Sequence, residues 1–213
     1  VVSGVEDGIR RLRVNQNGSL TVMGQIGAVN GLGIADPVAV EVVTISGSTY
    51  VIVASTQSSS LSVLRADHSG LVPVDHVTDS LLTRFAAPVA VETITIGDRV
   101  FVLSGGTDDG LSVFQLLPDG RMILIETLTD TAGMALADIA TIKACVVGSE
   151  IQVFVASGSE NGLTQFSFDP GPAGPTQIGG AGSDTVAGGG LADVLMGGRG
   201  DDVLSGGGGD DII

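Results

Sequence analysis

The sequence runs to 213 residues with 43% hydrophobic side chains, enough for one or two cores and too apolar for a disordered chain. Its 24 acidic residues outnumber 9 basic ones, and the net charge of -15 excludes a basic nucleic-acid-binding surface and makes cations the natural small partners. The single cysteine, Cys145, allows no internal disulfide, and its apolar run predicts a buried structural thiol.

Residues 1–170 repeat with a period of about 51 residues. The stretches VVSGVEDGIRRLRV, VIVASTQSSSLSVL, FVLSGGTDDGLSVF and VFVASGSENGLTQF each read as an apolar strand, a small polar turn and an alternating strand. Their turns fall in phase at Gly8, Ser60, Gly110 and Gly162. A second series of turns follows at Asn17-Gly18, Ser69-Gly70 and Asp119-Gly120, where such pairs predict type I′ hairpins with φ > 0 at both central residues. An apolar run precedes each first hairpin: PVAVEVVTI from Pro37, PVAVETITI from Pro88, and the looser IATIKACVV. Outer runs such as LVPVDHV and RMILIETL complete units of four antiparallel strands, the makings of β-propeller blades. Val1 falls at the end of a second strand, so the first unit lacks its inner strand and three more units follow. A sequence that begins mid-strand and ends mid-repeat is expected to be a piece of a longer protein, whose missing part, or another chain, would complete the propeller.

Candidate catalytic residues are sparse. His68 falls in a predicted turn and His76 on an outer strand, with no second ligand at metal spacing, and both are read as structural or solvated. Neither HExxH nor GxSxG occurs. The acidic turns Glu6-Asp7, Asp108-Asp109 and Glu160-Asn161 recur in phase, but the second unit has Ser58-Ser59 there, which favours local turn chemistry over a ligand site. On the inner strands Glu41 and Glu92 are scattered candidates for a hydrolase site at a channel mouth. The most apolar stretch, GMALADIATIKACVVG, is interrupted by Asp138 and Lys143, so no membrane span is expected and the protein should be soluble. No secretory leader is visible.

Pro170, Pro172 and Pro175 cannot donate ladder hydrogen bonds, so the last blade is expected to end there and residues 171–178 to form a Pro/Gly linker. Beyond it, residues 179–213 fall into blocks of nine reading G-G-x-G-x-D-x-U-x, with U apolar. The sixth position is Asp184, Asp193, Asp202 and Asp211; the eighth is Val186, Leu195, Leu204 and Ile213. Such a turn offers backbone carbonyls and one carboxylate, all hard oxygen ligands, while glycine lets the backbone bend at φ > 0. Calcium takes about 6 to 8 oxygens, more than one turn supplies, so two stacked turns are required. The x-U-x strands would then stack their apolar residues inward between two thin parallel sheets.

These blocks are the calcium-binding nonapeptide of RTX proteins, and the tail resembles their parallel β-roll over residues 179–213. In that family each ion lies between a repeat and the next but one. The resemblance implies one site from the Gly180 and Gly182 carbonyls with Asp184, facing the Gly197 and Arg199 carbonyls with Asp202. A second would use the Gly189 and Leu191 carbonyls with Asp193, facing those of Gly206 and Gly208 with Asp211. Leu191 replaces the family's glycine, and a leucine at φ > 0 is expected to be strained. The upstream region, with its DGLSVF…PDG cadence, is similar to propellers found before RTX repeats in secreted bacterial calcium-binding proteins. Together these readings predict an all-β chain: partial β-propeller-type four-stranded antiparallel repeats (1–170), a linker (171–178) and a C-terminal parallel β-roll (179–213). They imply a secreted calcium-binding protein with calcium as cofactor, extracellular after one-step type I-like export, and leave enzymatic activity open, with no enzyme motif in the sequence to favour it. The alternative is a fragment of a secreted propeller lactonase or hydrolase with an RTX tail.

Overall fold

A computed structural model describes residues 1–4 and 7–213, so Glu6 of the first acidic turn lies outside the described residues. Among the described residues the fold is all-β apart from a 3-10 turn at Ala28–Asn30. The first sheet joins β1 (Val2–Ser3), β2 (Gly8–Val14) and β3 (Leu20–Gly27). The second is β4 (Pro37–Ile45), β5 (Ser48–Ser55), β6 (Ser60–Ala66) and β7 (Leu71–Thr78). The third repeats it with β8 (Ala90–Ile96), β9 (Arg99–Gly105), β10 (Gly110–Leu116) and β11 (Met122–Thr129). The fourth has β12 (Ile139–Val147), β13 (Glu150–Ser157) and β14 (Leu163–Phe168).

Every pairing in these four sheets is antiparallel between chain neighbours, the meander of a propeller blade. Alternation of side chains along each strand supplies two apolar faces, and facing sheets bury them. Ile9, Val53 and Leu64 pack between the first and second sheets. Tyr50, Ile52, Val102 and Phe114 pack between the second and third, and Phe101, Leu103, Ile142 and Val153 between the third and fourth. The first sheet has three strands among the described residues, and Val38, Val40 and Val42 of β4 are exposed.

Three local expectations give way. Only two of the four sheets have four strands, because the chain leaves the fourth after β14. The predicted I′ turns are not where Asn-Gly and its relatives stand: Gly18, Gly70 and Gly120 take φ > 0, but Asn17, Ser69 and Asp119 do not. Asn15 closes its loop instead through Gly18 N–H to the Asn15 carbonyl and Asn15 N–H to the Ser19 carbonyl, a longer connection with one left-handed glycine. Two consecutive left-handed residues occur at Ser46-Gly47, between β4 and β5. Cys145 is exposed, not buried. Its neighbours Ile142 and Ala144 take the face packed on the third sheet, which leaves Cys145 on the other.

The tail is a parallel roll. β16 (Thr185–Ala187) pairs with β18 (Val203–Ser205) in one sheet. In the other, β15 (Ala173–Ile178) pairs with β17 (Ala192–Met196), which Ile212 extends by a parallel bridge to Val194. Val186, Val194 and Leu195 are buried, Val194 and Leu195 on opposite faces of β17, whereas Ile213 is 66% exposed. Residues 173–178, read from the sequence as linker, thus form a strand of the roll.

Candidate metal centre

Glycine sets the spacing of the roll. A Cβ at Gly198 would lie 2.2 Å from the Gly180 carbonyl oxygen, and one at Gly207 the same distance from that of Gly189. The turns two repeats apart therefore stack backbone on backbone. Arg199 N–H donates to the Gly180 carbonyl (3.0 Å), Gly182 N–H to the Arg199 carbonyl (2.6 Å) and Gly208 N–H to the Gly189 carbonyl (2.9 Å). These carbonyls are among the ligands implied for calcium, and each keeps a second lone pair. Gly182, Gly198, Gly200, Gly207 and Gly209 all adopt φ > 0. Leu191 does not, so the strain expected there is absent.

Each sixth-position aspartate curls over the first glycine of its own turn. A Cβ at Gly197 would sit 2.4 Å from Asp202 Oδ2, and one at Gly206 would sit 2.1 Å from Asp211 Oδ2. Asp184 and Asp202 come together: Gly180 N–H donates to Asp184 Oδ2 (2.8 Å) and Asp184 N–H to Asp202 Oδ1 (2.9 Å). Asp193 and Asp211 repeat the pattern, with Gly189 N–H on Asp193 Oδ2 (2.6 Å) and Asp193 N–H on Asp211 Oδ1 (3.0 Å). Among the described residues, the remaining oxygen of each carboxylate accepts no protein hydrogen bond. For Asp193 that oxygen, Oδ1, is fully buried.

An all-oxygen donor set, with one open oxygen on each of four carboxylates and a glycine cradle that admits no side chain, fits calcium. No group of three or more His, Cys, Asp or Glu side chains fit to hold a metal occurs among the described residues. A site of this kind pairs two carboxylates with backbone carbonyls and needs no such group. Asp201 and Asp210, at the fifth positions, are exposed.

The propeller carries a second cluster that sequence reading left scattered. Glu41, Glu92 and Lys143 occupy the same place on the inner strands of three successive sheets, opposite Ile52, Leu103 and Phe154. Lys143 Nζ donates to Glu92 Oε2 at 2.5 Å. Burial, and then the nearby Glu92 carboxylate, raise the Glu41 carboxyl above its ordinary value, with Lys143 pulling the other way. The signal that finds this cluster is the 51-residue phase applied to charge. His76 shares a hydrogen bond with Ser62 (Nδ1 to Oγ, 2.9 Å), and His68 is exposed in its turn. In the acidic turns, Asp7 Oδ1 accepts Asp36 N–H (2.8 Å), and Ser59 Oγ accepts Ala87 N–H (3.0 Å) at the equivalent place, so the turn side chains tie one blade to the next. No helix among the described residues is long and apolar enough to cross a membrane.

Residues 188–213 match the family model described as the RTX calcium-binding nonapeptide repeat in four copies. No curated protein matches the sequence. Solved structures similar to the chain include a functionally unknown protein from Desulfotomaculum acetoxidans (15% identity, 75% of this chain and 54% of that one, TM-score 0.44). Others are a candidate 6-phosphogluconolactonase from Bacteroides fragilis (13%, 78% and 52%, 0.48) and a protein from Lactobacillus plantarum (12%, 76% and 51%, 0.49). The chain spans about half the length of each, 51 to 54%. The C-terminal residues 188–213 thus match the RTX calcium-binding nonapeptide repeat, and they follow propeller-type antiparallel sheets.

Proposed function

We propose that this chain belongs to a secreted protein whose C-terminal roll is ordered by calcium, with the propeller sheets as a binding or structural module. The observation that carries the reading is the pairing of Asp184 with Asp202 and Asp193 with Asp211 across stacked turns, each carboxylate with one oxygen left without a protein donor. When bound, calcium would supply the positive charge that lets these carboxylates stand close and would take carbonyls from both turns. Asp184 and Asp202 would hold one ion, Asp193 and Asp211 the other, with Gly180, Gly182, Gly197, Arg199, Gly189, Leu191, Gly206 and Gly208 supplying backbone oxygens. Calorimetric titration of the whole chain with calcium, followed by far-ultraviolet circular dichroism before and after chelation, tests the reading. Saturable binding accompanied by a gain of strand signal is expected, and a chain that binds no calcium overturns it. Export from the cell follows from the RTX resemblance, and mass spectrometry of secreted and cytosolic fractions decides it.

The enzyme alternative has one observation in its favour, the Glu41, Glu92 and Lys143 cluster with its raised carboxyl. Turnover of simple lactones or esters by the calcium-loaded chain, lost in Glu41→Gln, would put that reading first.

A further inference from the structure

The roll does not begin at Gly179. Counting back nine residues gives the block 170–178, in which only Gly171 keeps the nonapeptide pattern and Ala173–Ile178 form β15. β15 pairs with β17 at an offset of eighteen (Thr176 with Val194, Ile178 with Met196), the same offset that joins β16 to β18. Residues 170–178 are therefore a coil of the roll. Its sixth position is Pro175, with neither carboxylate nor N–H. In the later coils, Asp202 Oδ1 takes the N–H of Asp184 and Asp211 Oδ1 that of Asp193, each eighteen residues earlier. Asp193 has Pro175 at that distance, and its Oδ1 is buried without a partner in a residue only 1% exposed.

The first coil thus lacks a carboxylate for calcium, yet two of its carbonyls face a cation. Arg99, at the start of β9, donates from Nη1 to the Pro170 carbonyl (2.8 Å) and from Nη2 to the Gly171 carbonyl (2.6 Å). Gly171 is the counterpart of Gly180 and Gly189, whose carbonyls are assigned to calcium. Arg99 is 9% exposed, and its guanidinium lies 5.6 Å from the centre of the Phe101 ring. It borders a cleft of about 730 Å³ whose other walls include Gly190, Leu191 and Asp211 of the roll. Thr176 Oγ1 adds a bond to Asp98 Oδ2 (3.3 Å) beside it. The equivalent residues of the neighbouring sheets are Ser48 and Glu150, so the arginine is not part of the blade pattern.

We propose that the Arg99 guanidinium is the resident cation of the first coil: through the Pro170 and Gly171 carbonyls it holds the 170–178 coil against the third blade without metal and gives the calcium-dependent coils a formed edge to stack on. The templating half of this rests on the calcium reading above; the clamp itself does not. A guanidinium suits the place because its planar fork spans two carbonyls at once and stays charged when buried.

Two measurements on the whole chain separate the parts. In chelator, a nonspecific protease with mass spectrometry should trim the wild-type tail back to about residue 178, and should trim Arg99→Ala to about residue 170. Arg99→Lys, whose point charge cannot bridge both carbonyls, should be trimmed like Arg99→Ala while its third blade stays resistant. Equal trimming limits for wild type and Arg99→Lys overturn the clamp, whatever calcium does. By calorimetry, Arg99→Lys should need roughly tenfold more calcium for half-saturation, the scale of one lost charged hydrogen bond. Pro175→Asp should bind no additional ion while Arg99 is present, and one more per chain when combined with Arg99→Ala. An additional ion in Pro175→Asp alone would show that the guanidinium does not fill the place of calcium. A wild-type chain that binds no calcium would sink the calcium reading and leave the trimming limits to decide the clamp.

Discussion

Asp201 and Asp202 carry the same charge one bond apart, but Asp202 meets the Asp184 N–H across the turn and Asp201 stands in solvent. If the aspartates act as phased ligands, Asp202→Ala should weaken one calcium site by at least about tenfold, since ligand charge sets calcium affinity over decades, and Asp201→Ala should leave it within about twofold. Equal losses in calorimetry would mean charge screening. Glu41 gives a test of different kind. A carboxyl raised in the folded state holds its proton more tightly folded than unfolded, so its contribution falls as pH rises from the ordinary carboxylate range through the raised value. Glu41→Gln should therefore melt higher than wild type at pH 7, and the difference should close as pH falls to about 4. At this scale the aspartates were legible because position in a nine-residue phase is itself geometric. Arg99 was not: nothing near it in sequence marks its carbonyl partners, which lie 71 and 72 residues away.

Strands of the blades were legible because each alternates or runs apolar between turn residues, and the 51-residue phase aligns them. What failed was turn type and the fate of 171–178. Two consecutive left-handed residues fall instead at Ser46-Gly47, in the two-residue loop that the Ile45–Ser48 pair closes. Asn17-Gly18 sits in a longer loop and spends its side chain locally, with Asn17 Oδ1 accepting Ser19 N–H. The three prolines of 170–175 argue against a central strand, and β15 is not one: it has a single partner, β17, so an edge places no N–H demand on the other side. Between blades, Tyr50 of β5 reaches across to donate from its hydroxyl to the Pro118 carbonyl (2.8 Å), and a Cβ on Gly120 would strike its ring at 2.5 Å. Tyr50→Phe leaves that buried carbonyl without its partner and should cost about 1 to 2 kcal/mol in chemical denaturation. Phe114→Ala, which empties the core shared by the second and third sheets, should cost about 3 to 5 kcal/mol.

For the molecule as a whole, the two regions hold together by different means. The sheets of residues 2–168 are joined by apolar cores at each facing pair, which need no metal. Of its apolar side chains the roll buries Val186, Val194 and Leu195, and it places six aspartates between 184 and 211 among its glycines. Ordering each of its residues costs roughly 1 to 2 kcal/mol of backbone entropy, and little apolar area offsets it. Binding to the folded form alone stabilises by about 2.7 kcal/mol at 100 times Kd for each site, so calcium should move the roll and leave the blades where they are. Heating the chain in chelator and in calcium should then show a calcium-dependent transition for the roll and one for the blades whose midpoint changes by no more than a few degrees. Sodium at matched ionic strength screens repulsion beyond about 8 to 10 Å but offers no directed coordination, and magnesium holds its waters and demands a tighter octahedron. Neither should reproduce the roll transition at concentrations where calcium saturates it. A blade transition that climbs in step with calcium would mean that the two regions melt as one unit, and a roll transition raised equally by sodium would reduce the aspartates to bulk charge.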